Sequence, residues 1–197
     1  MSGDAAAVDL WWLPLGAGGH FVRLNGKVFE AVAARRQRRR PQPLFHSALE
    51  VHLEGVTTVI EMGPVPRRGG PPAERGVVAG GPVGWGPLGR FALFRYEVRR
   101  WAGGAIPDRD EAVGGPRRMG DDPALARRVL ELIPAVPTAV WGRDGLGTGD
   151  MWNSNSLIAW ALARAGIDAG AVEPPEGGRA PGWRAGVVVA ARDATHH

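Results

Sequence analysis

The chain has 197 residues, 44% of them hydrophobic, which is enough for one domain with a buried core. Its 24 basic and 20 acidic residues give a net charge of +4, a weak indication of an anionic partner. The absence of cysteine excludes disulfides, thiolate nucleophiles and zinc–thiolate sites.

Location and domain organisation follow from the same composition. The sequence holds no run of about 18 apolar residues, so we expect no membrane span. The N-terminus lacks the basic region of a secretory signal, so we expect a cytoplasmic protein. Glycine and proline concentrate between residues 63 and 120. We therefore expect a single domain over residues 1–197 with a loop-rich region there.

The first forty residues predict a strand, a second short strand and a helix. Val8–Leu15 and His20–Leu24 have strand character, and an apolar stripe predicts a helix from Asn25 or Gly26 to about Arg38. The cluster Arg35–Arg40 is either a nucleic-acid or anionic-lipid site or a solvated helix end. No aromatic residues are interleaved with the arginines, so we favour the helix end and expect no nucleic-acid binding.

A β-hairpin is predicted next, from Leu44–Leu53 and Thr57–Met62 around the turn Glu54-Gly55. Because side chains alternate along a strand, this turn sets which of them share a face. His46 and Glu61 would then be diagonal neighbours on one face, about 7 Å apart.

The second half of the chain mixes strands and helices. Val77–Ala79 predicts a brief strand, Phe91–Trp101 a clearer one, and residues 103–120 a loop. Asp122 followed by Pro123 is typical of a helix start. The three consecutive valines within Trp183–Ala190 predict a final buried strand.

A polar tetrad, residues 153–156 (NSNS), precedes an apolar helical stretch that we expect to stop at Gly166. Asn and Ser are preferred helix N-caps, so capping alone explains Asn153 and Ser154. A hydroxyl at this point also lies near unpaired N–H groups and the positive end of the helix dipole, which suits a nucleophile. The side-chain amide of Asn155 or Asn153 could donate to an oxyanion, and capping is the alternative for both.

A serine nucleophile needs a base to take its proton, and the base needs a third group to orient it. A strand histidine (His46), a strand carboxylate (Glu61) and a hydroxyl at a helix start (Ser154) would supply all three parts. The sequence has no metal-binding or phosphate-loop motif, so we expect neither a metal nor a cofactor.

These segments resemble a known superfamily. Residues 45–51 (FHSALEV) followed by 59–62 (VIEM) resemble the histidine hairpin of circularly permuted papain-like proteins, which include PPPDE isopeptidases, lecithin:retinol acyltransferase relatives and permuted NlpC-type hydrolases. In those families a nucleophile follows much later, at a helix start written N-C-N-x-F or similar. Residues 153–157 (NSNSL) match it with Ser154 in the cysteine position, and an uncharacterised bacterial family with N-S-N-T-F is also similar.

The resemblance implies an α+β fold, with an antiparallel sheet packed against helices in permuted papain-like order. It implies a hydrolase or acyltransferase that acts on an amide or ester through an acyl-enzyme at Ser154, with His46 as base and Glu61 as third group. The partner would be a peptide, a protein or a small amide or ester substrate.

The match departs from those families at its most important position, because they use a thiolate and this chain has a serine. A Cys–His pair is partly ionised at rest, whereas a serine is not. Three explanations remain: a true serine enzyme, an inactive relative that binds a peptide or protein partner in the same groove, or an engineered substitution.

Overall fold

The computed structural model describes residues 5–15, 35, 38, 40–66, 70–91 and 94–195. Within them the chain is α+β, with a six-stranded sheet and three α-helices, which confirms the predicted class. None of the helices in these ranges is long and apolar enough to cross a bilayer. The predicted strand at His20–Leu24 and nearly all of the predicted helix after it lie outside the described residues, as does half of the Arg35–Arg40 cluster.

The sheet has the strand order β4-β5-β3-β2-β1-β6, and each neighbouring pair is antiparallel. Its strands are β1 (Ala7–Pro14), β2 (Phe45–Leu53), β3 (Val56–Pro64), β4 (Val77–Pro82), β5 (Arg95–Ala102) and β6 (Arg117–Gly120). The helices are α1 (Pro123–Leu132), α2 (Ser154–Arg164) and α3 (Trp183–Ala194).

The β2–β3 hairpin has the predicted register, with Glu50 opposite Val59. Glu54 and Gly55 form its turn, with φ angles of 51° and 76°. Positive φ at both central residues is the geometry whose twist matches that of the flanking strands. This turn places His46 and Glu61 on the same face of the sheet.

The two faces of the sheet differ in what covers them. Phe45, Leu49 and Val51 of β2 belong to the main core, which includes Leu157 and Ile158 of α2. We call this the inner face. The opposite, outer face carries a smaller apolar cluster, formed by Trp11, Leu13, Ala48, Val59 and Ile106. His46 and Glu50 alternate with the inner-face residues of β2, so their side chains leave on the outer face.

Helix α3 overturns the prediction of a strand at Trp183–Ala190. Its buried residues recur at a spacing of three to four, which is a helical period. Gly186 faces α2 so closely that a Cβ would clash with the Ser156 carbonyl oxygen. Close helix packing therefore overrides the β-propensity of the three valines.

Strand boundaries also differ from prediction at two places. The strand predicted from Phe91 begins only at Arg95, and the predicted loop contains β6. β6 is four residues long and pairs with β1 across an irregular register at the sheet edge. A strand this short leaves too little alternation to be read from the sequence.

Candidate active site

Helix α2 begins at Ser154 because the residues around it form a capping box. The Asn153 Oδ1 accepts hydrogen bonds from the N–H groups of Asn155 (2.9 Å) and Ser156 (3.3 Å). In return, the Asn153 N–H donates to the Ser156 Oγ at 3.0 Å. Two backbone N–H groups in the first turn of α2, and the N–H of the Asn153 cap, therefore have hydrogen-bond acceptors. The Ser154 side chain is not one of these acceptors.

Asn155 joins the start of α2 to the beginning of β2. Its Nδ2 donates to the Phe45 carbonyl oxygen at 2.9 Å, and its Oδ1 accepts from the Ser47 Oγ at 2.9 Å. The bridge therefore holds the residues on both sides of His46. Since Ser154 precedes Asn155 in the chain, Ser154 and His46 are each one residue away from the bridge.

The bridge occupies a split in the sheet. The pairing of β2 with β3 runs from the turn to Leu49 opposite Ile60, and beyond it β3 continues in register with β5 as far as Pro64. The first residues of β2 therefore do not pair with β3, and the Phe45 carbonyl oxygen accepts a hydrogen bond from Asn155 instead. The start of α2 lies at this split, at the β2 end that carries His46.

A second set of hydrogen bonds ties α2 to the segment before α3. The fully buried Ser156 Oγ donates to the Gly182 carbonyl oxygen at 2.8 Å, and the Gly182 N–H donates to the Asp150 Oδ2 at 2.8 Å. The Nδ2 atoms of Asn153 and Asn155 both donate to the Pro181 carbonyl oxygen, at 2.8 and 2.9 Å. We call residues 45–47, 150–156 and 181–182 the junction.

Ser154 does not take part in these junction hydrogen bonds. It is 6% exposed, and neither its N–H nor its Oγ takes part in a hydrogen bond with any described residue. In the described chain, the fully buried side-chain polar atoms without a partner are the Trp152 Nε1 and the Arg164 Nε. The Ser154 Oγ is not among them, so solvent reaches this hydroxyl.

His46 is the second polar side chain here without a structural partner. Its ring makes no hydrogen bond to Ser154 or to any other residue that the structure describes. Burial lowers the pKa of His46 to about 4, and the Asp108 carboxylate opposes this shift. The ring is therefore neutral at pH 7 and has a nitrogen free to accept a proton.

Glu61, the predicted third group, pairs with an arginine. It shares the outer face with His46, and its Oε1 accepts from the Arg99 Nη1 at 2.8 Å. Arg99 also reaches Glu97, at 3.2 Å. Asp108, which opposes the lowering of the His46 pKa, lies in a loop some sixty residues further along the chain and makes no ion pair with His46.

The two side-chain amides predicted as oxyanion donors already donate hydrogen bonds within the protein. Both Asn153 and Asn155 direct their side-chain N–H groups to carbonyl oxygens, and the Asn155 main-chain N–H is taken by the cap. Asn155 uses both N–H groups of its side-chain amide on the Phe45 and Pro181 carbonyls, whereas Asn153 uses one of its two on the Pro181 carbonyl. The Ser154 N–H also has no acceptor among the described residues.

The outer face holds a separate group of charges. Glu50 is 3% exposed, accepts from the Trp11 Nε1 at 3.0 Å and pairs with Arg109 at 3.2 Å. Asp9 pairs with Arg118 at 2.5 Å and with His52 at 3.5 Å. Among the described residues, no three His, Asp or Glu side chains are arranged to hold a metal ion.

Comparison with known proteins identified no matching family, no matching curated sequence and no matching solved structure.

Proposed function

We propose that the chain is a Ser–His hydrolase or acyltransferase of permuted papain-like order, acting on an amide or ester bond. One observation carries the proposal. Ser154 and His46 both lie in the junction with side chains that make no hydrogen bond to a described residue, and the Asn155 bridge joins the residue after Ser154 to the two neighbours of His46. A hydroxyl that the fold does not engage and a neutral imidazole in the same region supply the nucleophile and the base that acyl transfer requires, which supports the proposal.

The proposed reaction has two steps. The Ser154 Oγ attacks the carbonyl carbon of the substrate while His46 takes the hydroxyl proton, and a C–O bond forms. The imidazolium then gives this proton to the leaving amine or alcohol as its bond to the carbonyl carbon breaks. Water or another nucleophile releases the acyl group from Ser154, with His46 again accepting and returning a proton.

Two features of α2 support charge development at this hydroxyl. Ser154 is the first residue of an 11-residue helix, so the positive end of the helix dipole is beside it. Its own N–H is open and could bind the oxyanion. The missing hydrogen bond between Ser154 and His46 is compatible with this role, since such bonds often tighten only when substrate is bound.

A second candidate is a non-catalytic protein of the same architecture that binds a peptide or protein partner. The pairing of Glu61 with Arg99 favours it, because the predicted third group is then engaged elsewhere. A surface cavity of 380 Å³ beside the junction, lined in part by Asp150, Pro181 and Trp183, could receive a side chain of such a partner.

A cysteine at position 154 tests the site directly, because the natural chain contains none and the thiol of the S154C variant is unique. We expect its pKa to lie near 7 or below, against about 8.5 for an ordinary thiol, since a neighbouring imidazole and a helix N-terminus both favour the thiolate. The pH dependence of alkylation by iodoacetamide measures this value. The matched control is T195C, an exposed position at the end of α3, which should have an ordinary pKa.

Adding H46Q to S154C should raise the pKa of the thiol toward the ordinary range, while the helix N-terminus still keeps it below that of T195C. An S154C thiol no more acidic than that of T195C would contradict an activated site. The natural serine is then tested with a fluorophosphonate and intact-mass detection, where S154A and H46Q should remove the label. An acidic thiol in S154C without labelling of the natural chain would select the non-catalytic candidate.

A further inference from the structure

The loop that joins β4 to β5 exposes three large aromatic side chains. Trp85, Phe91 and Phe94 are 60%, 50% and 36% exposed. Elsewhere in the described ranges, exposed large apolar side chains occur singly along the chain. We call residues 83–95 the aromatic loop. Scattered apolar side chains are normal on a protein surface, whereas a group of them marks an interaction site.

Hydrogen bonds fasten the base of the aromatic loop to the fold. The Val83 N–H donates to the Phe94 carbonyl oxygen at 2.8 Å, which joins the two ends of the loop. The Gly84 N–H donates to the Trp141 carbonyl oxygen at 2.9 Å, and the Arg143 Nε donates to the Gly84 carbonyl oxygen at 2.7 Å. The aromatic side chains are therefore exposed on a segment that the fold holds at its base.

The charge of the aromatic loop has a single sign. Arg90 and Arg95 lie in it, and the chain has no Asp or Glu between Glu74 and Glu97. The Arg90 guanidinium carbon lies 4.8 Å from the centre of the Phe91 ring, so a cation and an aromatic ring share one exposed surface. Neither arginine forms an ion pair with a carboxylate in the part of the chain that the structure describes. The loop thus presents uncompensated positive charge beside exposed apolar area.

The composition of the loop distinguishes between classes of partner. Residues 83–95 (VGWGPLGRFALFR) are glycine, proline, apolar residues and arginine, and no side chain among them is a hydrogen-bond acceptor. Protein–protein interfaces and the reading of bases depend on directional hydrogen bonds, which usually include side-chain acceptors. A bilayer surface makes no such demand, because it receives aromatic rings at the level of the headgroups and attracts arginine through anionic lipids.

We propose that the aromatic loop docks on the surface of an anionic phospholipid bilayer. Trp85, Phe91 and Phe94 enter the headgroup region, and Arg90 and Arg95 pair with the anionic groups of the lipids. Apolar insertion and charge attraction act together, as stable peripheral binding requires. The inference uses neither Ser154 nor His46, so it stands or fails independently of the proposed reaction.

The test is cosedimentation of the full chain with vesicles of phosphatidylcholine alone and with vesicles in which about a third of the lipid is phosphatidylserine. We expect binding to the anionic vesicles and, at about tenfold lower affinity or less, to the neutral ones. The double variant W85A/F91A should bind the anionic vesicles about tenfold more weakly or worse, because it removes the inserting rings. R90Q/R95Q should remove most of the preference for phosphatidylserine.

W101A is the matched control, since it removes an exposed tryptophan of β5 outside the aromatic loop and should leave binding unchanged. Trp85 and Phe91 are exposed, so W85A/F91A should keep the urea midpoint of the natural chain. No binding to the anionic vesicles, or equal binding by W85A/F91A and the natural chain, would overturn the proposal. Self-association or RNA binding that W85A/F91A abolishes, without vesicle binding, would assign the loop to another partner and would also overturn it.

A fluorophore in the loop shows which surface meets the lipid. A Cβ at Gly86 meets no atom within 4 Å, and the natural chain has no cysteine, so G86C accepts a single environment-sensitive label such as NBD. Its emission should rise and shift to shorter wavelength on anionic vesicles, while the same label on T195C should not respond. A bound chain whose G86C label keeps its emission in water would show that a different surface touches the bilayer, against the proposal.

Discussion

The junction and the outer face of the sheet both bring polar side chains out of water, and they satisfy them in different ways. At the junction the partners are mainly neutral: amides and hydroxyls of Asn153, Asn155 and Ser156 bind backbone groups and one another, and the Asp150 carboxylate binds backbone N–H groups, not a basic side chain. On the outer face the partners are charged: carboxylates of Asp9 and Glu50 pair with arginines. Neutral hydrogen bonds depend on geometry, whereas charge pairs also depend on pH and salt.

This difference shows where a function can be sought. Each outer-face carboxylate described above has a basic partner, so its charge is explained by structure. At the junction, Ser154 makes no hydrogen bond although Asn153, Asn155 and Ser156 around it do, and His46 lies between the two regions, on the outer face but at the junction end of β2. Open groups among satisfied ones are the candidates for chemistry.

The largest predicted effect is a difference in unfolding free energy between variants of two adjacent junction residues, Asn155 and Ser154. N155A should destabilise the protein by about 3 kcal/mol, because it leaves a buried hydroxyl and a carbonyl without partners and detaches α2 from β2. S154A should change stability by less than about 0.5 kcal/mol, since its Oγ makes no hydrogen bond. Urea unfolding of both variants measures the contrast, and equal losses would show that Ser154 also serves the fold.

A change of pH should affect stability through His46. Its pKa falls from 6.5 to about 4 on folding, so the unfolded chain binds more protons between those values. Stability contributed by the neutral ring is full above about pH 6.5 and is lost as the pH falls toward 4, by up to about 3 kcal/mol. The difference in unfolding free energy between the natural chain and H46Q, followed from pH 7 to 4, isolates this group. A difference that does not vary with pH would contradict a buried neutral ring.

The smallest predicted effects are the losses of stability in variants of two outer-face carboxylates, Glu50 and Glu61. E50A should lower the free energy of unfolding by about 2 kcal/mol. The change leaves the Trp11 indole N–H without its acceptor and removes the carboxylate with which Arg109 pairs on the sheet. E61A should lower the free energy of unfolding by about 1 kcal/mol, because Arg99 still has its ion pair with Glu97. Thermal unfolding at low and high salt ranks the two. A larger loss in E61A would mean that the Glu61–Arg99 pair contributes more to the stability of this face than the contacts of Glu50 with Trp11 and Arg109.

Local chemistry was sufficient to predict several elements. The Glu54-Gly55 turn fixed the hairpin register, so the shared face of His46 and Glu61 could be predicted. Asp122 before Pro123, and Asn153 before the apolar stretch, located the starts of α1 and α2. In each case the relevant interactions lie within four residues.

Contacts between distant segments decided the rest. The sequence by itself determined the α+β class, the hairpin and the helix start at Ser154, because turn and cap preferences are local. Only the tertiary structure decided that Trp183–Ala190 is helical and that Glu61 pairs with Arg99. The physical reason is that helix packing and charge pairing depend on which segments meet, and a pattern read along one segment does not contain its partner.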